Sequence, residues 1–458
     1  MNATSSRLTV GSLRELSAVG VVCVLSSMYA TSLIAASSIL TSLGDDAGGS
    51  VGLLMGVVSG VFILLALFVA AVVISNGIDT VIAGRLRELD LLRLVGASAE
   101  QLRASLVNAV VKTAMVGAVT GAALGIGGAW IVREVLVHRG TLPSGDYTTV
   151  PPLVILAIGA VVGTAAGATV VGSRSALSKS TVVRSSRVVR SRGRDLLAGA
   201  TIIGGALLLL VACHLGEQAS SAGFFAAFFG AATVGVGIMG GAGRIVPGLV
   251  AIAGRLAGST PSAMIARKNA VSDPRRTTRS TIGLLIGVTL VTTIACGMRA
   301  LTDSVHSWAG MSADDVREAE QILSVMSAVL VAMIAISAVI AAVGFVSTMS
   351  LTVIGRTREI GMLRAMGFTG RQIRAMITIE SLALSGTAVV AGIFLGTVFG
   401  AVGAQSLVGA VTSGFQVGLP VPALATIVAG TVVLVLAASL PPSRRAVAIA
   451  PVDALAVA

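Results

Sequence analysis

Apolar and polar positions are segregated along the chain in long blocks. Apolar runs fill positions 16–43, 51–82, 106–135, 151–172, 196–215, 223–251, 281–301, 322–354, 377–405 and 421–440, with short polar segments between them. A helix needs about 20 such residues to cross a bilayer, whereas a barrel strand is half as long and alternates apolar with polar. These runs show no two-residue alternation and are rich in Gly, Ala, Val, Leu and Ile. The pattern therefore predicts an all-α integral membrane protein with ten transmembrane helices. The first run is too long for the core of a signal peptide and reads as a retained span. The eleven prolines are expected at or beyond the span ends.

One polar segment recurs. Residues 84–104, GRLRELDLLRLVGASAEQLRA, return as residues 355–375, GRTREIGMLRAMGFTGRQIRA, at a constant offset of 271, and ten of the 21 positions are identical. In each copy a short charged helix follows one apolar run and leads into another, with Gly96 or Gly367 placed where a helix stops and turns. A period near half the chain means two similar halves. The spans then fall into a four, two, four arrangement with both termini on one side. The first four-span unit is 1–173 and the second, with its tail, is 281–458. Residues 174–280 hold a basic linker, two extra spans without counterpart and a second basic segment. The extra pair is expected to tether the halves. The connections after the first span of each half, 44–50 and 302–321, are too short to bury a core, so no large extracellular domain is expected.

Composition agrees with this topology. Hydrophobic residues make up 55% of the 458 and charged residues 11%, with a mean hydropathy of +0.97, which leaves too little polar surface for a soluble globule. Of the 32 Lys and Arg, only Arg133, Arg139, Arg299 and Arg317 fall opposite the termini, so the termini are cytoplasmic by the positive-inside rule. The net charge of +12 follows from topology and anionic lipid headgroups. The arginines are scattered over short loops with few aromatics to stack bases, so nucleic acid is not an expected partner.

The candidate chemistry is sparse. Cys23, Cys213 and Cys296 lie inside apolar runs and suggest neither a disulfide framework nor a zinc site. His138, His214 and His306 are far apart and lack metal-ligand spacing. The lysines are Lys112, Lys179 and Lys268, none after a glycine, so the sequence holds no phosphate-binding P-loop. No nucleophile elbow or zinc-protease motif occurs either. The chain reads as a non-enzyme without a cofactor of its own, and ATP-driven work would need a separate subunit.

RTREIGMLRAMGFTGRQI, with Glu380 shortly after it, resembles the signature of the FtsX-like, or MacB-type, permease family of ABC transporters. RKNAVSDPRRTTRSTIGLLIGVTL resembles the stretch before the second half in ten-span actinobacterial members, and PVDAL resembles the usual family ending. The sequence departs from the pattern where Asp90 stands against Gly361, where Ala109 aligns with Glu380, and in its small external segments. The resemblance implies a bacterial cytoplasmic-membrane permease subunit, with ATP and Mg held by a partner ABC ATPase, two copies per chain. It makes the repeats coupling helices, with Arg85, Arg87, Glu88, Leu92 and Arg93 in the first and Arg356, Arg358, Glu359, Leu363 and Arg364 in the second. Their guanidiniums would pair with carboxylates of the ATPase, and Leu89, Leu92, Ile360 and Leu363 would supply apolar contact.

Other readings stand beside these. The repeats also suit interfacial helices that lay arginines among lipid headgroups, and Arg85 with Glu88, or Arg356 with Glu359, has the spacing of a local ion pair. Glu380 falls just inside the membrane boundary, where a carboxylate is costly unless paired or near water. It marks either a functional charge or a local pair with Arg374 or a loop arginine, and Asp79 with Lys112 are the candidate substitutes in the first half. At the level of function, the expectation is extrusion of an amphiphile such as a lipid, peptide or hydrophobic drug. The alternatives are force transmission to an extracellular lipoprotein or cell-wall enzyme, and a secondary carrier, which would need ionisable residues at span centres that are almost free of them.

Overall fold

The computed structural model describes residues 17–47, 49–138, 152–177, 192–253, 274–305, 317, 320, 323–324, 326–327, 330, 357–412 and 414–448. Eleven helices carry most of these: α1 (Ser17–Ala47), α2 (Gly49–Gly84), α3 (Leu86–Leu94), α4 (Ala99–His138), α5 (Leu153–Leu177), α6 (Arg192–Glu217), α7 (Ala222–Ala253), α8 (Pro274–Val305), α9 (Thr357–Ala365), α10 (Gly370–Val408) and α11 (Val421–Ala448). There is no strand among the described residues. Eight helices, α1, α2, α4 to α8 and α10, are long and apolar enough to cross a membrane, while the apolar part of α11 is Val421–Ala437. The expected span at 322–354 lies largely outside the described residues. The protein is an all-helical, multi-pass membrane protein.

Helix ends differ from the sequence reading in one place. Pro247 lies inside α7, and α11 runs on through Pro441 and Pro442, although these two lie beyond its apolar part, Val421–Ala437, as expected at a span end. In a membrane helix the group freed by a proline is re-satisfied by neighbours or local adjustment. Pro274 instead opens α8, where its missing N–H costs nothing. Helix α4, at 40 residues, is about 60 Å long at 1.5 Å per residue. That is twice the hydrocarbon thickness of about 30 Å, so its first turns, with Glu100, Gln101 and Arg103, stand outside the apolar layer.

Contacts gather the helices into two compact units, one holding α1 to α5 and the other α6 to α11. In the first, α1 packs against α2, α4 and α5. Its seam with α4 is made by glycines every fourth residue, Gly117, Gly121 and Gly125. A Cβ on Gly121 would fall 2.2 Å from the Val24 carbonyl oxygen, and one on Gly125 would fall 2.0 Å from Thr31 Oγ1. Small residues let the backbones meet where lipid supplies no hydrophobic drive between helices. Hydroxyls then cross the gap: Ser27 Oγ donates to Ala118 O at 2.7 Å and Ser32 Oγ to Gly125 O at 3.4 Å. Between α1 and α2, Ser37, Thr41 and Ser59 share a hydroxyl network.

The second unit repeats the device. Helix α10 lays Gly392, Gly396 and Gly400 against α8, and a Cβ on Gly396 would fall 2.5 Å from Thr292 Cβ. Gly392 and Gly396 are Gly121 and Gly125 advanced by 271, so the duplication extends from the polar segment into the membrane. Leu284, Leu285 and Val288 of α8 meet Ala388 and Val389 of α10 and Val435 of α11 in one core. The two spans without counterpart, α6 and α7, pack on each other and on α10. Gly205, Gly230 and Gly237 bring them together, and the tip of their hairpin sets Gly216 against Gln405 and Ser406. Arg244 and Asp195 join α7 to α6 at 2.8 Å.

Candidate functional site

The two repeated segments fold into the short helices α3 and α9, each fastened to the long helix that follows. Leu89 of α3 is buried with Leu102 of α4, flanked by Leu92 and Ala97. Ile360 of α9 is buried with Ile373, Met376 and Ile377 of α10, flanked by Leu363 and Phe368. The chain then reverses in the same way twice. Gly96 and Gly367 take the left-handed backbone, with φ of 105° and 92°. Gly96 N–H donates to Arg93 O and Ala97 N–H to Leu92 O, both at 3.0 Å. Gly367 and Phe368 donate likewise to Arg364 and Leu363, both at 3.0 Å. These are the paired bonds of a Schellman turn, complete with its apolar contact.

The next helix opens on a reciprocal cap in both copies. Ser98 Oγ accepts from Gln101 N–H and Gln101 Oε1 from Ser98 N–H, each at 3.2 Å. Thr369 and Gln372 do the same at 3.3 and 2.9 Å. A capping box immediately after a Schellman turn satisfies the main chain on both sides of the bend and fixes its angle.

Among the described side chains each helix exposes apolar residues, and they are not those the sequence suggested. Leu91, Leu94 and Val95 are 56, 72 and 88% exposed, and Met362 and Met366 are 46 and 70% exposed. Their spacing of three and four places each set on one helix face. Leu89 and Ile360, expected to contact an ATPase, are instead buried within the chain, and Leu92 and Leu363 are half-buried on the same clusters. The inner stripe anchors the helix and the outer stripe is presented. Nine helical residues with apolar side chains all round give a periodicity that cannot separate the two.

Arg85 is corrected as well. At 7% exposure it is turned into the chain at the start of α3 instead of facing outward. Arg93 and Arg364 are half-buried and Glu359 is exposed. The side chains of Arg87, Glu88 and Arg358, and the whole of Arg356, lie outside the described residues. Glu380 is buried at 3% exposure, one turn beyond the Ile360 cluster. Arg374, its suggested partner, is exposed and donates through Nε to Gly370 O at 3.3 Å. Asp79 and Lys112 do not meet. Asp79 of α2 lies beside Gly172 of α5, whose added Cβ would be 3.2 Å from Asp79 Oδ1, and Lys112 is exposed on α4.

Charge distinguishes two helices that are otherwise built alike. Residues 84–104 carry four arginines against three acids, while 355–375 carry five arginines against Glu359 alone. Glu100 in the first turn of α4 is matched by exposed Arg371 in α10. Counting the unlike positions of the repeat, and not only the identical ones, finds this difference.

Two segments, 60–181 and 331–451, match the FtsX-like permease C-terminal domain and together cover more than half of the chain. The macrolide export ATP-binding/permease protein MacB of Nitrobacter winogradskyi is 35% identical over 144 residues, 31% of this chain and 20% of that protein. The chain thus aligns with about a fifth of that relative's length. Each family match contains one of the short helices together with its Schellman turn and its cap, so the unit built twice in the structure is the unit matched twice in the sequence. The chain belongs to the FtsX-like permease family and carries the family's domain in two copies.

Proposed function

We propose that the chain is the transmembrane subunit of an ABC transporter, driven by a separate ATPase that holds ATP and Mg and binds in two copies. The observation that carries this reading is the pair α3 and α9, each joined to the next helix through a Schellman turn and a capping box and each showing exposed apolar residues. Apolar residues presented in an arginine-rich segment fit a groove lined with apolar side chains and carboxylates. The MacB relative is named for ATP binding as well as permease function, and the present sequence has no P-loop of its own. Closure of the ATPase pair would push on α3 and α9, and the two bends would carry that push into α4 and α10.

The scarcity of charge in the membrane supports a substrate class. The first, second and seventh runs, 16–43, 51–82 and 281–301, hold few charged residues, which suits extrusion or outer-leaflet extraction of an amphiphilic lipid, peptide or drug and gives little purchase to a sugar. On this reading the chain lies in the bacterial cytoplasmic membrane with both termini inside. The test is Val95→Asp combined with Met366→Asp, two exposed positions related by the offset of 271. The double variant should remain folded in detergent and lose co-purification with the ATPase and stimulation of its turnover. Undiminished binding and turnover would reject the docking role. Native mass measurement should give one chain to two ATPase subunits.

A further inference from the structure

The connection between α10 and α11 ends in a segment, residues 415–420, without regular secondary structure and with two unlike sides. Phe415, Val417 and Leu419 are exposed, Gln416 and Pro420 are half-buried between them, and Gly418 is buried. Gly418 fixes this orientation. A Cβ there would fall 2.2 Å from Ala300 N and 2.5 Å from Cys296 O, so bare backbone lies on the backbone of α8. Gly418 is seated on α8, and exposure alternates around it, with the odd positions outward and the even ones buried or half-buried. Val411 before the segment and Val421 after it are exposed too, which adds two apolar positions to the strip.

The strip has no charged neighbours in sequence. From 381 to 443 the chain contains no Asp, Glu, Lys, Arg or His, whereas the corresponding connection of the first half contains Arg139 and Asp146. A loop bathed in water has no reason to be so uniformly uncharged, and an exposed patch of this kind marks a contact surface. Its depth is bounded by the main chain. Among the described residues, Phe415, Gln416 and Val417 make no main-chain hydrogen bond. Irregular backbone of that kind is excluded from the hydrocarbon layer and needs water or headgroups. Apolar side chains that want lipid, on a main chain that wants water, belong at the boundary between headgroups and acyl chains.

We propose that Val411, Phe415, Val417, Leu419 and Val421 form a wedge seated in the lipid interface at the end of α10 remote from α9, with Gly418 as its anchor on α8. The partner is the lipid leaflet itself. The contact holds whether or not the chain transports anything.

The experiment places a single tryptophan reporter in the full chain, with native Trp130 and Trp308 replaced by phenylalanine. Phe415→Trp, Val417→Trp, Leu419→Trp and Gln416→Trp are each reconstituted in phosphatidylcholine and phosphatidylglycerol vesicles. Bromine is carried on the lipid either near the headgroup or near the chain end, and acrylamide serves as the aqueous quencher. The three odd positions should lose most of their emission to bromine near the headgroup, less to bromine at the chain end, and be shielded from acrylamide. Gln416→Trp should be much less affected by bromine. Quenching by acrylamide alone would put the strip in water and overturn the proposal. Resistance to both quenchers, as a second chain or a bound peptide over the strip would give, overturns it as well. So does equal bromine quenching at all four positions. Gly418→Val, in a sample whose unfolding temperature shows it folded, should abolish the difference between odd and even positions.

Discussion

Thr31 and Thr292 stand against matching glycines, Gly125 and Gly396, yet their hydroxyls differ. Thr31 Oγ1 donates to Ser27 O at 2.8 Å, whereas Thr292 Oγ1 is buried without a hydrogen-bond partner among the described residues. A buried hydroxyl left unmade carries its full desolvation cost, and one that is bonded returns it. Thr31→Val should therefore destabilise the protein by about 0.5–1.5 kcal/mol, the usual net worth of a hydrogen bond. Thr292→Val, of the same shape, should be neutral or stabilising. Unfolding of the two variants in detergent, followed by circular dichroism, checks the opposite signs.

The glycine seams predict a second contrast. Gly121→Val and Gly396→Val each force a branched side chain into backbone or side-chain atoms nearer than 3 Å. Overpacking of this kind typically costs about 1–3 kcal/mol and occasionally more. Gly159→Val, on an exposed face of α5 with nothing within 4 Å, should leave the unfolding temperature almost unchanged.

The left-handed glycines predict a local effect. Gly96→Ala and Gly367→Ala each place a Cβ at positive φ, a cost of about 1–2 kcal/mol for an L residue. The loss should appear at the bend. Amide exchange should accelerate in α3 or α9 and the first turn of the next helix, and ATPase stimulation should fall, while the membrane seams keep their protection. Uniform acceleration across the unit would contradict a local role for the bend.

Arg371→Glu makes the start of α10 resemble that of α4. An acid in the first turn interacts favourably with the helix dipole, by about 0.3–1 kcal/mol at low salt. The variant should be as stable as the parent or slightly more so, and should bind the ATPase less tightly if the arginine excess of 355–375 serves docking. Titration at two salt concentrations should show the parent's affinity falling more steeply with salt than the variant's.

The sequence revealed much of this architecture, for identifiable reasons. Long apolar runs announce membrane helices because no other element tolerates them, and Gly96 and Gly367 announce a turn because few residues accept positive φ. The Ser98–Gln101 and Thr369–Gln372 caps were legible in principle from their three-residue spacing. The side of α3 and α9 that faces outward was not legible, since leucine serves equally as an anchor and as a presented contact. Arg85 misled for a related reason, because a charged residue type is no guarantee of an exposed side chain. Whether Asp79 and Lys112 share a face was not legible, because similar depth along two helices says nothing about the faces on which the residues lie.

Ala109 on α4 and buried Glu380 on α10 occupy the same place in the repeat. If the two halves were separate copies of one short polypeptide, every inherited change would occur twice, and a carboxylate gained on one side would be imposed on the other. Fusion removes that coupling. Each half can then change alone, so one side can carry an ionisable group, a surplus of arginine or a pair of methionines that its twin lacks. The chain is in this sense a dimer released from the obligation to be symmetric.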